Sequence, residues 1–264
     1  MEATVTYPLD CGRHHVLDLD ADEFGNYIAL LSTGEVWTNE QRVPLRQRFT
    51  SAYIRQVDAD RFVIVEIRRR SRNNAFVFDV TGRKLLDFDA GDAVADVLVQ
   101  AGQIVISYFD EAAGSTGPGA DGLAVFDATG RQTFGLNAQH PGFVLDCYAL
   151  CKLGADSVLA YTYTGFPLVE LRLTDYRLLT QPTPPDVAGA HELTTSYSNV
   201  VFYGSYAESA RFCWWDRKTN VKPFGHLPTA GLRGIGAGKF LTFDARSFTI
   251  IDAMALMQQE HRQR

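Results

Sequence analysis

The chain has 264 residues, 46% of them hydrophobic and 21% charged, with seventeen Phe, eleven Tyr, twenty-two Gly and ten Pro. This excludes a disordered or low-complexity chain and suits aromatic-rich strands separated by turns. A net charge of −6 argues against a nucleic-acid partner, because such affinity comes mainly from cations on phosphates.

The N-terminus, MEATVTYPLD, has neither the basic nor the apolar part of a secretory leader. No run approaches the roughly 18 apolar residues of a membrane span. A cytoplasmic chain without a membrane partner is expected. Residues 4–9 read as a lone strand. VLDLD, YIALL and EVWTNEQRVPL then read as two strands and a hairpin reversing near Thr38. YIRQV and FVIVEI lead to AFVFDVTGRKLLDF at 75–88, and ADVLV and IVISYF lead to LAVFDATGRQTFGL at 123–136. These two hairpins are nearly the same text. In each, an Asp closes an apolar strand and Thr-Gly follows where the chain must reverse. Gly takes φ > 0 there at little cost.

Looser copies continue along the chain. LDCYAL and VLAYTY precede LVELRLTDYRLL, with Leu173 in the Asp place. ELTTSY and VVFYG precede RFCWWDRKTNVKPF, with Asp216 there. LRGIG and KFLTF precede FTIIDAMAL, with Asp252 there. The marks at 38, 79, 127, 173, 216 and 252 lie 41, 48, 46, 43 and 36 residues apart. A strand-only period in the forties predicts propeller blades.

The expected fold is all-β: one six-bladed β-propeller of four-stranded antiparallel blades, lettered A to D from the axis outward. Blades are expected at 14–46, 50–89, 92–137, 143–181, 190–226 and 230–252. The last lacks an outer strand, which residues 4–9 can supply and so close the ring. Closure removes exposed edges. The tail, 253–264, favours a short helix.

The hairpin VFDATGRQTFGLNAQH resembles the outer half of a WD40-type repeat, with Phe126-Asp127 in place of Trp-Asp. Trp215-Asp216 is the literal dipeptide, and Gly225-His226 follows it. The resemblance reaches only the broad propeller superfamily and implies its ring architecture.

Other motifs read plainly. Cys11, Cys147, Cys151 and Cys213 form no C-x-x-C and read as small buried hydrophobes. Asp18, Asp20 and Asp22 in DLDADEFGNY alternate as in a calcium loop. The Gly and the twelfth-position Glu of such a loop are missing, so the stretch reads as an acidic hairpin turn. GIGAG at 234–238 is followed by a strand, not a helix, which excludes a dinucleotide loop. No cofactor is expected, and these motifs assign no metal ligands.

Two functional readings remain. B–C and D–A loops share one rim, and here they include 67–74, 110–122, 137–143, 164–167, 181–191 and 205–211. They carry Arg68, Arg69, Arg70, Tyr108, Phe109, Tyr163, Phe166 and Tyr206. Aromatic and Arg side chains dominate protein interfaces, so a non-catalytic scaffold holding a protein partner is the first reading. The second places chemistry at the channel mouth, where A strands begin, with His14, His15, Tyr53, Asp96, Asp146, His191, Glu192 and Arg233. Those starts are similar to lactonase-like propellers, which hold a divalent metal with Glu, Asp and Asn. The resemblance implies a metal-dependent hydrolase or lyase. No Asn stands at the corresponding strand starts.

Overall fold

The computed structural model describes residues 3–12, 14–139, 142–229 and 231–263. Residues 140, 141, 230 and 264, which fall in the loop, blade and tail expected above, lie outside that set. The first strand is β1 (Thr4–Pro8). Blade 1 follows as β2 (Val16–Ala21), β3 (Tyr27–Leu31), β4 (Glu35–Thr38) and β5 (Arg42–Pro44). Blade 2 is β6 (Ala52–Gln56), β7 (Arg61–Glu66), β8 (Ala75–Asp79) and β9 (Lys84–Phe88). Blade 3 is β10 (Val94–Gln100), β11 (Gln103–Tyr108), β12 (Leu123–Phe126) and β13 (Gln132–Gly135), followed by the one-turn helix α1 (Leu136–Gln139). Blade 4 is β14 (Asp146–Leu153), β15 (Ser157–Tyr163), β16 (Leu168–Arg172) and β17 (Leu178–Gln181). Blade 5 is β18 (Glu192–Ser196), β19 (Asn199–Tyr203), β20 (Arg211–Trp215) and β21 (Val221–His226). Blade 6 is β22 (Arg233–Gly236), β23 (Lys239–Phe243) and β24 (Ser247–Asp252), and α2 (Ala253–Gln263) ends the chain.

Six four-stranded antiparallel sheets result, and the sixth has the order β1-β24-β23-β22. The N-terminal strand is therefore its outer strand, with Thr4 opposite Ile251 and Pro8 opposite Ser247. Tyr7 stacks on Phe248 at 4.7 Å between centroids. Each blade buries both faces against its neighbours. This explains why second strands read as unbroken apolar runs: Phe62, Val63, Ile64 and Val65 of β7 are all buried. Outer strands face solvent on one side, and β9 is largely exposed. The core is divided accordingly. Six apolar clusters fill the six seams between adjacent blades.

The repeated Asp has a definite task. Asp79 Oδ1 accepts from the backbone N–H groups of Thr81 (3.0 Å) and Arg83 (3.1 Å) and from the Thr81 hydroxyl (2.6 Å). Asp127 repeats this with Thr129 and Arg131 at 2.9, 3.1 and 2.6 Å. Asp216 does so with Lys218 and Asn220. In blade 1 the Thr38 hydroxyl replaces the carboxylate, accepting from the N–H groups of Glu40 and Gln41. In blade 4 the task passes to Asp175, which accepts from the Arg177 N–H at 3.3 Å. The sixth mark, Asp252, caps α2 by accepting from the Ala255 N–H at 2.9 Å. Gly130 (φ 78°) in the blade-3 turn lies where a Cβ would come 2.5 Å from the Phe88 ring.

These hydrogen bonds favour the ionised form. Those from Thr81 lead in pulling the Asp79 carboxyl down to about 2, and those from Thr129 do the same for Asp127. A depressed carboxyl contributes stability above its unfolded value of about 3.9 and loses it as pH falls through the folded value. Asp79→Asn with Asp127→Asn is therefore expected to flatten the decline in melting temperature between about pH 4 and pH 2. A decline as steep as in the parent would overturn this account of the turns.

Helix α2 does not stand free. Met254, Leu256 and Met257 pack on the seam between blades 5 and 6. Glu260 accepts from the Gly225 N–H at 2.7 Å.

Candidate functional site

The A strands β2, β6, β10, β14, β18 and β22 are the inner strands of their sheets. Side chains at alternate positions project toward the axis. The central group is Arg55, the last residue but one of β6, with its side chain 3% exposed. Its Nη1 donates to Asp18 Oδ2 (2.5 Å) and to the Ile54 carbonyl (2.6 Å). Its Nη2 donates to Asp96 Oδ1 at 2.8 Å, and its Nε donates to the Val97 carbonyl. Arg233 joins from blade 6, donating to Asp18 Oδ1 (2.7 Å) and the Leu19 carbonyl (2.8 Å). Asp18 also accepts from the Ile54 N–H at 2.8 Å. Blades 1, 2, 3 and 6 are thus tied at the axis by two carboxylates and two guanidiniums. Burial alone would raise the Asp18 carboxyl. The charges of Arg233 and Arg55, with their hydrogen bonds, outweigh burial and hold it below the ordinary carboxylate range.

Glu192, at the start of β18, behaves oppositely. Burial, reinforced by the Asp96 charge, pushes its carboxyl well up. It accepts from the Gly234 N–H at 3.3 Å. Tyr53 donates its hydroxyl to the Ala95 carbonyl at 2.6 Å, and the Arg55 and Arg233 guanidiniums lie 5.4 and 5.9 Å from its ring.

A cavity of about 400 Å³ opens where the A–B turns gather, and Arg55, Arg233 and Asp96 line it from within. Asp20, Gln56 and the turn residues Asp22, Glu23 and Phe24 form part of its wall. The sequence reading put Asp96 and Arg233 at the opposite, D–A mouth. Their side chains reach inward and line this cavity instead. Asp96 and Glu192 do not occupy equivalent places in blades 3 and 5. Glu192 pairs with Tyr203, the last residue of its B strand, as Asp146 pairs with Tyr163. Asp96 sits beyond a bulge and pairs with Ser107, one residue deeper.

The other channel-mouth residues do not join this network. His14 and His15 are exposed ahead of β2. His191 packs edge-on against Tyr203 at 5.3 Å, and partial burial lowers its pKa. Asp146 is half-buried, and burial followed by the Asp110 charge raises its carboxyl. A divalent metal at the strand starts does not fit these residues. Both Asp18 oxygens and Asp96 Oδ1 are already engaged by guanidinium groups. Among the described residues no three His, Cys, Asp or Glu side chains converge as a ligand set.

On the B–C and D–A rim, the aromatic nominees gather. Phe166 lies 5.4 Å from Tyr163 and 5.6 Å from Tyr206, ring to ring. Tyr148 completes the group, 5.4 Å from Phe166 and joined to Tyr206 by a 2.8 Å hydroxyl hydrogen bond. Tyr206 is 69% exposed and Tyr163 is 37% exposed. Phe109 is exposed on blade 3, as is Phe143 ahead of blade 4. Tyr108 is a correction. It ends β11 inside the core, fully buried, and donates its hydroxyl to the Ala90 carbonyl at 2.5 Å. The arginines stand apart from the aromatic group. Arg68 pairs with Glu111 and Arg69 with Asp89 (2.6 Å), so those two forks are engaged within the chain. Arg70 is exposed.

Sequence reasoning missed Asp18 and Arg55 as axial residues and Tyr148 as a rim aromatic. The signal was present. Asp18 and Asp20 alternate along an inner strand, and Arg55 interrupts an otherwise apolar-leaning one.

No protein-family profile matches the chain, and no curated protein matches it. Solved structures do. One is a catalytically inactive virginiamycin B lyase from Staphylococcus aureus with quinupristin, at 10% identity and TM-score 0.52, covering 94% of this chain and 99% of that one. A second is the propeller domain of Cps50 (Swd1) from Myceliophteria thermophila, at 11% identity and TM-score 0.55, covering 90% and 83%. A third is the extracellular domain of the putative hybrid two-component system BT3049 from B. thetaiotaomicron, at 11% identity and TM-score 0.58, covering 93% of this chain and 34% of that one. At such identities the likeness concerns fold alone. The ring of six four-stranded sheets, closed by β1, and these neighbours together make the chain a six-bladed β-propeller.

Proposed function

We propose that the chain is a non-catalytic module that holds a protein partner on its B–C and D–A rim. The observation that carries this reading is the contiguous group Tyr148, Tyr163, Phe166 and Tyr206, contributed by blades 4 and 5 and open to solvent at two of its rings. Aromatic rings offer a large contact area with few rotatable bonds, and interface hot spots favour Tyr. Phe109 and Phe143 extend the apolar surface along the same rim.

The test is co-purification of a partner with the parent and with Tyr163→Ala/Tyr206→Ala. Loss of hot-spot rings of this kind weakens binding by about 2 kcal/mol each, or roughly thirtyfold. Tyr197, 95% exposed in the A–B turn of blade 5, is the control on the opposite rim. Capture lost in the double variant and kept in Tyr197→Ala supports the rim. Unchanged capture in the double variant, or loss in the control, overturns it. Tyr206→Phe, which keeps the ring and removes the hydroxyl bond to Tyr148, is expected to retain capture.

A further inference from the structure

The cavity at the A–B end belongs to neither the rim nor the strand starts. It has two kinds of unfilled hydrogen-bonding capacity. A guanidinium has five N–H donors. Arg55 places four of them on Val97, Asp18, Ile54 and Asp96, so one remains on a group whose side chain is 3% exposed and lines the cavity. Arg233 places two, on Leu19 and Asp18, and its Nε is 3.9 Å from Asp96, beyond hydrogen-bond reach. Among the described residues no acceptor takes the rest, so the interior of the cavity presents free cationic N–H groups, one of them on a side chain almost wholly removed from solvent.

The wall presents the complement. Asp20, two residues along β2 from Asp18, lines the cavity, and its charge acts on both Arg55 and Arg233. Its carboxylate accepts no hydrogen bond from the described residues. Asp22 differs, because its oxygens are taken by Phe24 N–H, Asn26 N–H and the Asn26 amide. Four lining carboxylates face three lining cations, and Asp18 beneath adds a fifth negative charge. A purely anionic ligand meets this excess. A purely cationic one leaves the buried guanidinium N–H unfilled. A molecule carrying both charges satisfies both ends.

We propose that this cavity binds a small zwitterion of the free amino-acid type. Its carboxylate lies on the Arg55 and Arg233 guanidiniums, and its ammonium lies on Asp20. The volume suits a ligand of that size, and concave sites with a few convergent polar groups are the usual form of small-molecule sites. This inference is independent of the aromatic rim, which lies at the other end of the channel.

The experiment is thermal melting and calorimetric titration of the whole chain with free L-amino acids, one at a time, up to about 10 mM. Succinate, putrescine and glucose serve as anionic, cationic and uncharged comparisons. At least one amino acid is expected to raise the melting temperature and bind one to one, more tightly than any comparison compound. Asp20→Asn should weaken it about ten- to a hundredfold, the range for a hydrogen bond to a charged group. Asp20 bears no structural hydrogen bond from the described residues, so this variant is expected to stay folded without ligand, and calorimetry below its own melting temperature reads its binding directly. Tyr206→Ala should bind the amino acid as the parent does, which keeps this site separate from the rim. The proposal is overturned if no amino acid binds, if succinate, putrescine or glucose binds as well, or if Asp20→Asn binds unchanged.

Discussion

Arg55→Met is expected to lower the free energy of unfolding by about 3–5 kcal/mol, the cost of leaving a buried charge without its partner. The group at risk is Asp18, also 3% exposed, which keeps only Arg233 and the Ile54 N–H after the change. Asp96 loses its 2.8 Å bond at the same time and faces Arg233 only at 3.9 Å. The Met side chain fills much of the same space, so packing contributes little to the loss. Urea unfolding at neutral pH, followed by Trp fluorescence, measures the effect. Asp18→Asn in the Arg55→Met background should cost less than the sum of the two single changes, because the second removes the charge that the first stranded. A loss below about 1 kcal/mol for Arg55→Met would show that water reaches the pair and that the axial ties are weak.

Removing the first nine residues is expected to abolish the folded monomer. Strand β1 fills the outer position of blade 6, and its loss frees the edge of β24 along Thr249, Ile250 and Ile251. It also removes Leu9, 4% exposed in the seam between blades 6 and 1, and the Tyr7 ring stacked on Phe248. Those two side chains alone represent about 4 kcal/mol of apolar burial. That is a large share of a typical net stability of about 5–15 kcal/mol. The unpaired edge is in addition a template for self-association. Size-exclusion chromatography should show aggregates in place of a monomer, and a synthetic peptide of residues 1–9 added in excess should restore part of the monomer. A shortened chain that stays monomeric with its parent melting temperature would show that the ring holds without closure.

The fold was readable because its cause repeats. An Asp or Thr that accepts turn N–H groups recurs in the C–D hairpins of blades 1 to 5, and unbroken apolar runs mark strands buried on both faces. Blade 4 shows how far the pattern bends: Leu173 occupies the Asp place, and Asp175, two residues on, takes the turn. The rim was half readable. Tyr163, Phe166 and Tyr206 were visible as loop aromatics, whereas Tyr108 was assigned to a loop although it is the last residue of a core strand. One residue of strand length decides between those two fates. The axial network was not readable. It depends on which inner-strand positions from four separate blades meet at one point, and bulges such as the one between Val94 and Asp96 shift that register without a mark in the text.

The pairing of the two chain ends has a consequence for biosynthesis. Thr6 and Thr249 share a hydrogen bond across 243 residues. At about 5–20 residues per second, a ribosome needs roughly 12–50 s between making one and making the other. Throughout that interval the first strand has no native mate, and each finished blade still offers one uncovered flank to the next. Polar and exposed residues on β1, with Thr4 and Thr6 among them, suit a segment that must wait in water before the ring can shut.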